Sequence, residues 1–571
     1  MVAKTKNLKT ILVAGQAGQG IDKTSDIICL ALTKLGYYVF NYRYYQTIIT
    51  GGKNFNVITF SESEINCHED NYDVAIFLHE DIEDYIKKLK RNAIIICDEK
   101  IAENYFSSLK KLNVHLLTID CEKIMKKNEL AKVVKNSILM GAFANALGIQ
   151  REVFFEIFET EFKKLLKENK LGFEEGYKLG KPLIKLRQRK KKIVYFKGND
   201  AIAYAFRLAG IDAYLAYPMT PSTGLLHNLA KTNGFVYQPE NEIAVINAAL
   251  GIAACGKKVA IGSSGGGFAL MIEALSFTGM AELPLVIYLV SRYGPSTGVP
   301  PCTSQADLKF AINAGHGSFA KIVLSLSTIE NAMINAIDAF NFAYSYRIPV
   351  ILLTDKHFAE SGFSMEEKQL RKIEAYAYNS LKKLEKFRNK KQKAIFNLTK
   401  SYPLNNEFAP LPLIGYDIFK LNSYEHDEYG FFSEDSKVMK MMSIRRKERI
   451  DKIKKMLENR YQVYGNKNAK NLIISWGSTI NSLLDFVNEN KKYKLIDIIS
   501  LSPFPEIKNE IKKAIKKAKN VYVFECSPTS QLSDLIAENT GIKIPDKNKI
   551  LKYDGTPFLL DDIKKALKTK I

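Results

Sequence analysis

Three short segments in the middle third of the chain carry residue types that could do chemistry. They are Tyr217-Pro218-Met219-Thr220-Pro221-Ser222-Thr223-Gly224, Glu240-Asn241-Glu242 and Ser291-Arg292-Tyr293-Gly294-Pro295-Ser296-Thr297-Gly298. Each follows an apolar, strand-like run, and in an open α/β sheet ligands bind at the carboxyl ends of strands. Arg292 offers a planar fork that can grip both oxygens of a carboxylate. Thr220 and Ser222 flank Pro221, which leaves the turn little entropy to lose. The plainer reading is a helix start with one of those hydroxyls as its cap. Glu242 opens an apolar helix, Ile243 to Ala254. A partly buried carboxylate there suits proton exchange with a nitrogen heterocycle. The plainer role, an acid complementing the helix dipole, fits Glu240 better.

Two glycine-rich turns stand between strand-like and helix-like runs. Gly15-Gln16-Ala17-Gly18-Gln19-Gly20 could cradle a phosphate on backbone N–H groups, or be shaped by packing alone. Its Gly-x-x-Gly-x-Gly order reverses the dinucleotide fingerprint, and the next strand ends in Asn41-Tyr42-Arg43 with no carboxylate for a ribose. A nicotinamide dehydrogenase is therefore disfavoured. Gly262-Ser263-Ser264-Gly265-Gly266-Gly267 permits close backbone approach to a ligand. His316 reads as a structural loop histidine. His426 and Asp427, in the acid-rich Glu425 to Glu428, read as a mobile loop near an active site.

The elements that must position these residues are strands alternating with helices, which indicates an α/β protein of three Rossmann-like, doubly wound units. The expected boundaries are an α/β unit over 1–180 with a mostly parallel sheet, a basic linker over 181–192, a second unit over 193–364, a connecting region over 365–467 and a third unit over 468–571.

The 571 residues are 46% hydrophobic and 25% charged, as in a soluble protein of several domains. No apolar run is long enough to span a bilayer. The start, Met1 to Lys6, is basic but leads into a β-rich run with no small-residue cleavage site, so a cytoplasmic location is expected. The formal charge of +22 is spread over helix faces such as Lys512, Lys513, Lys516 and Lys517, without a nucleic-acid-binding motif. It suits an acidic protein partner better. The seven cysteines form no Cys-x-x-Cys pair, which argues against a zinc site or an iron–sulfur cluster held by this chain alone.

Read in order, Gly15 to Gly20, Gly51-Gly52, Tyr217 to Ser222, Glu240 to Ala244, Ser264 to Phe268, Arg292 to Gly298, Gln305 to Leu308, Gly315 to Gly317, Glu425 to Glu428, Ser475 to Thr479 and Lys552 to Gly555 resemble the 2-oxoacid:ferredoxin oxidoreductases. The likeness is to an alpha subunit with a γ-type domain fused ahead of it. It implies a thiamine-binding, pyrimidine-type middle unit and a transketolase C-terminal-like last unit. It also implies thiamine-dependent oxidative decarboxylation of a 2-oxoacid, with 2-oxoglutarate favoured over pyruvate or a broad range. Coenzyme A would be co-substrate and ferredoxin the electron acceptor. Carried over by position, Glu242 matches the glutamate that hydrogen-bonds the aminopyrimidine of thiamine, Arg292 the arginine that grips the substrate carboxylate, and Thr220 the threonine facing the 2-oxoacid. Gly15, Gly18 and Gly20 are candidates for a coenzyme A phosphate or partner contact. The Gly-Asp-Gly with its downstream asparagine and the cluster cysteines are missing. The resemblance assigns Mg2+, the diphosphate site and a [4Fe–4S] cluster to a beta subunit, and no metal to this chain. After Gly298 the family's Leu-Pro-Thr-Arg pattern becomes Val299-Pro300-Pro301-Cys302. That change leaves the substrate open and motivates the alternative of a non-catalytic assembly or regulatory relative.

Overall fold

The computed structural model describes residues 9–46, 51–231, 234–392, 401–404, 420–505 and 510–568. The start Met1 to Lys6 and part of the connecting region lie outside them. The chain divides into two compact units: residues 1–196 with 361–368 and 559–562, and the remainder. Among the described residues the strands form three sheets, and no helix is long and apolar enough to cross a membrane.

In the first unit the sheet runs His115–Ile119, Leu89–Asp98, Tyr72–Phe77, Lys9–Ala17, Gly51–Ser61, Tyr38–Tyr44, Gly362–Glu366, Ile193–Lys197. The first four strands are parallel. Gly51–Ser61, however, pairs antiparallel with both neighbours, so the sheet is mixed rather than mostly parallel. This strand was missed because polar residues interrupt it. Asn56 is buried, and its amide donates to Asp22 at 3.1 Å. Ile193–Lys197, read as the start of the second unit, lies at the edge of this first sheet. The basic stretch before it is largely exposed and is pinned by backbone hydrogen bonds. The Leu183 and Ile184 N–H groups both donate to the Ala146 carbonyl at 2.9 Å, and Arg189 N–H donates to the Leu35 carbonyl at 2.9 Å.

The second unit holds two sheets. The larger runs Ser500–Ser502, Ile322–Ser325, Pro349–Asp355, Leu285–Ser291, Val259–Ser263, Ala213–Leu215, Phe235–Tyr237. All its pairings are parallel except that of Ser500–Ser502. Every residue of Leu285–Ser291 is buried, as a parallel strand covered by helices on both faces requires. The smaller sheet runs Tyr461–Gly465, Tyr493–Ile498, Asn471–Ser475, Asn520–Glu525, Lys549–Leu551. One apolar core serves both sheets, with Leu289 and Ile351 from the larger and Leu472, Ile474, Trp476 and Leu532 from the smaller side. The helix Ser436–Leu457 of the connecting region buries Met442, Arg445, Arg449, Ile453 and Leu457. Both arginines pair with the buried Glu282, so the buried stripe of this helix is not purely apolar.

A buried carboxyl joins the two sheets: Asp497 accepts from the Ser327 hydroxyl at 2.5 Å. Burial pushes the Asp497 carboxyl up to about 7, with the Ser327 hydrogen bond opposing. The folded state therefore holds a proton that the unfolded chain releases near pH 4. This stabilising contribution is fully present at low pH and is lost as pH rises from about 4 to about 7. The Asp497→Asn chain should gain about 4 kcal/mol relative to the parent across that window. Urea unfolding of both proteins at a series of pH values checks this; parallel pH profiles would refute it.

Candidate active site

The carboxyl ends of three adjacent strands in the larger sheet bring the opening segments together. Arg292 follows Leu285–Ser291, and Thr220 belongs to the turn after Ala213–Leu215, with Val259–Ser263 between them. Neighbouring strands lie about 4.8 Å apart, so Arg292 reaches across one strand. Its Nη1 donates to the Thr220 carbonyl at 2.8 Å. Both residues are half-buried. In the same turn the Ser222 hydroxyl donates to the Met219 carbonyl at 2.8 Å. It makes no capping bond to the helix Thr223–Ala230, so the helix-cap reading of this turn is replaced by one in which Ser222 holds the turn itself.

Glu242 opens the helix Glu242–Ala254, which Asn241 caps by accepting from Ala244 N–H at 2.9 Å. The Glu242 side chain is buried, and its Oε1 has no hydrogen-bond partner among the described residues. A buried acceptor left in that state is costly, which marks a place for a donor from a bound group. The glycine-rich turn expected after Val259–Ser263 is helical over Gly265–Leu270, and its lack of side chains lets this carboxylate in. A Cβ at Gly267 would stand 2.5 Å from Glu242 Oε1 and would also collide with the Ser263 hydroxyl. Ser263 in turn points at the Met219 sulfur at 3.9 Å, linking the Glu242 pocket to the Thr220 turn.

A second carboxylate flanks the same glycine turn. A Cβ at Gly265 would lie 2.8 Å from Asp307 Oδ2. Burial pushes the Asp307 carboxyl up, while Ser291 and the Arg292 charge pull it down. Sequence reasoning noted Gln305 to Leu308 without giving Asp307 a role. The available signal was a lone acid in an otherwise uncharged stretch. In the altered stretch, the Cys302 carbonyl accepts from the Tyr293 N–H at 3.0 Å, and its side chain lies against another turn. Thr303 N–H donates to the Gly555 carbonyl at 3.0 Å, and a Cβ at Gly555 would be 3.1 Å from the Cys302 sulfur. The substitution therefore packs on the Lys552 to Gly555 turn.

His426 and Asp427 do not join this cluster within the chain. His426 is buried, with Nδ1 3.0 Å from the Asp427 carbonyl, Nε2 3.3 Å from the Met280 carbonyl, and its ring 3.9 Å from that of Tyr402. Met280 precedes Leu285–Ser291, whereas Arg292 follows it. A seven-residue strand separates those edges by about 20 Å. The Asp427 carboxylate accepts from Tyr429 and Phe431 N–H at 2.9 and 3.0 Å, closing its own turn. His426 is thus held inside this unit, while Tyr424, Tyr429, Phe431 and Phe432 around it are exposed. His316 is exposed and lines a separate cavity of about 780 Å³ with Phe319, Arg446 and Lys447.

In the first unit Gly18 and Gly20 adopt left-handed φ of 85° and 72°. Gly15 is crowded, since a Cβ there would lie 2.7 Å from Gln19 Oε1. The turn borders a cavity of about 270 Å³ that includes Arg43, Tyr45 and Asn54. Arg43 pairs with Asp22 at 2.6 Å and lies over the Tyr45 ring.

A family model described as "Pyruvate flavodoxin/ferredoxin oxidoreductase, thiamine diP-bdg" matches residues 204–443, and one described as "Pyruvate ferredoxin/flavodoxin oxidoreductase" matches residues 10–179. The chain is similar to the 2-oxoacid:ferredoxin oxidoreductase subunit alpha of Sulfolobus sp, at 29% identity over 97% of this chain and 96% of that one. It is also similar to the 2-oxoglutarate synthase subunit KorA of Methanocaldococcus jannaschii, at 30% identity over 58% of this chain and 88% of that one. Among solved structures, the 2-oxoglutarate:ferredoxin oxidoreductase from Magnetococcus marinus with 2-oxoglutarate, coenzyme A and succinyl-CoA bound superposes with a TM-score of 0.81 and 25% identity, covering 99% of this chain and 100% of that chain.

The close approach at Gly267 makes a stability prediction. Gly267→Ala should destabilise the chain by about 1–3 kcal/mol through overpacking. Gly251→Ala, on the exposed face of the same Glu242–Ala254 helix with nothing within 4 Å, should stabilise it by about 0.5–1 kcal/mol. Denaturant unfolding of the two variants decides, and equal effects would show that the Glu242 carboxylate is not packed on the turn.

Proposed function

The chain belongs to the 2-oxoacid:ferredoxin oxidoreductase family as an alpha-type subunit, and from that we propose that it works with a beta-type partner on a 2-oxoacid, 2-oxoglutarate before pyruvate. A 2-oxoacid, coenzyme A and two oxidised ferredoxins become an acyl-CoA, carbon dioxide, two reduced ferredoxins and a proton. The observation that carries this reading is the buried, unpartnered Glu242 Oε1 on the same sheet edge as an arginine already oriented by the Thr220 carbonyl.

Thiamine diphosphate fits the residues present and, when bound, supplies the electron sink for carbon–carbon cleavage. Glu242 would accept a hydrogen bond from its aminopyrimidine and hold or release a proton there, in a pocket with little water. Arg292 would take the substrate carboxylate. Its prior bond to Thr220 means less side-chain freedom is lost on binding. The Thr220 hydroxyl would face the 2-oxo group. Tyr217, Phe235, Tyr237, Ile243, Leu270 and Val299 are exposed apolar side chains on this part of the unit. They support a partner subunit covering the site. That partner would carry Mg2+, the diphosphate contacts and the [4Fe–4S] cluster, for which this chain lacks the motifs. In the first unit, Gly15, Gly18 and Gly20 with Arg43 form the proposed coenzyme A phosphate or partner contact. The proposed location is the cytoplasm.

The chain alone should not reduce ferredoxin or a dye. Mixed with its beta-type partner, thiamine diphosphate, Mg2+, coenzyme A and 2-oxoglutarate, it should do so. Glu242→Gln should lower kcat about 10²–10⁴-fold, while Arg292→Lys should mainly raise KM for the 2-oxoacid. Steady-state kinetics of the reconstituted complex test all three, and a Glu242 variant with full turnover would remove the proposed thiamine role.

A further inference from the structure

The Thr220 turn is held only in part by its own residues. Pro221 has no N–H, and three successive carbonyls, of Met219, Thr220 and Pro221, each need a donor. Ser222 serves the first, through its N–H at 3.0 Å and its hydroxyl at 2.8 Å. Arg292 serves the second at 2.8 Å. The third is served from a different element: Asn199 Nδ2 donates to the Pro221 carbonyl at 3.1 Å.

Asn199 is itself tightly constrained. It is buried in the first turn of the helix Gly198–Leu208. Tyr288, from the central strand Leu285–Ser291, donates its hydroxyl to Asn199 Oδ1 at 3.0 Å. That bond fixes which way the amide points, because a carbonyl at Pro221 accepts only from the NH2 side. Gly224 makes the room, since a Cβ there would stand 2.5 Å from Asn199 Nδ2. The neighbouring Asn228 donates to Asp200 at 3.0 Å and ties the helix Thr223–Ala230 to the same first turn. The strand that ends in Arg292 therefore reaches the Thr220 turn twice. It does so directly through Arg292, and through Tyr288 and Asn199 on the far side of Pro221.

We infer that Asn199, oriented by Tyr288, is a positioning residue that sets the Thr220 carbonyl and hydroxyl against Arg292 and so tunes 2-oxoacid recognition. It touches no substrate. The inference rests on the function proposed above. Its energetic logic is that a one-atom change at Asn199 replaces a donor by an acceptor facing a carbonyl, repelling the turn without altering side-chain volume.

The test is Asn199→Asp in the complex reconstituted with the beta-type partner, with Tyr288→Phe as the milder variant. Asn199→Asp should raise KM for 2-oxoglutarate at least tenfold while the thiamine diphosphate concentration for half-activation changes less than twofold. Tyr288→Phe should act in the same direction by a few fold, and the double variant should be less than multiplicative. A crystal structure of the Asn199→Asp chain should show the Thr220 carbonyl withdrawn from Arg292. Unchanged kinetics, or equal losses for 2-oxoacid and thiamine diphosphate, would reduce Asn199 to a fold-supporting residue and overturn the inference. If the parent complex turns over no 2-oxoacid, the proposed function fails, and the crystal structure then decides the positioning role: an undisturbed Thr220–Arg292 bond overturns it.

Discussion

The hydrogen bond from Arg292 to the Thr220 carbonyl is the constraint on which the candidate site depends. It joins the ends of two strands that are not neighbours, so it ties the Thr220 turn to the end of Leu285–Ser291. An arginine committed in this way is less mobile than a surface arginine, whose rotamer freedom would have to be lost on binding. The bond is possible because Leu285–Ser291 is wholly buried and delivers Arg292 from a rigid base. The remaining turn carbonyls are satisfied by Ser222 and Asn199, so the loop behaves as part of the scaffold.

Between the two anchored segments runs the glycine-rich start of the helix Gly265–Leu270, and its composition follows from crowding rather than flexibility. Neither Gly265 nor Gly267 has positive φ. Each is glycine because a carboxylate oxygen, of Asp307 or Glu242, occupies the space a Cβ would need. The buried Glu242 and the half-buried Asp307 thus both press on one helix start. They are treated differently: Asp307 has the Arg292 charge near it, whereas Glu242 Oε1 has no partner among the described residues. Environments that differ in this way give two neighbouring carboxylates different properties.

The parts legible in the sequence were those written locally. Thr220, Glu242 and Arg292 each follow a short apolar run, and the three α/β sheets follow from alternating runs and turns. What stayed hidden was long-range or polar. Gly51–Ser61 carries the buried Asn56 within its run, and Gly362–Glu366 joins a sheet whose other strands end by Lys197. The stripe of Ser436–Leu457 hides two arginines whose partner, Glu282, lies more than 160 positions earlier. Asn199 was invisible because its meaning is a pair of contacts to Pro221 and Tyr288, neither implied by local pattern. The His426 stretch has the opposite character. An acid-rich stretch looks solvated, yet its acids accept backbone N–H groups and its imidazole is sealed under Tyr402.

The shared core of the second unit gives the last sheet a part in the site that its distance from Arg292 in sequence conceals. Gln305 is fully buried. Its amide donates to the Trp476 carbonyl at 2.8 Å and accepts from the Thr479 hydroxyl at 2.8 Å and the Cys526 N–H at 2.7 Å. Two residues on, Asp307 presses on Gly265. A side chain clamped by three residues of the smaller sheet's connections therefore sets the height of the segment that carries Asp307, and through it the glycine turn on which Glu242 also rests. The same segment carries Cys302, whose packing against Gly555 adds to this clamp. Changes there should be read first as adjustments between the two sheets. They would reach the site by shifting Asp307 and through the Tyr293 N–H that donates to the Cys302 carbonyl.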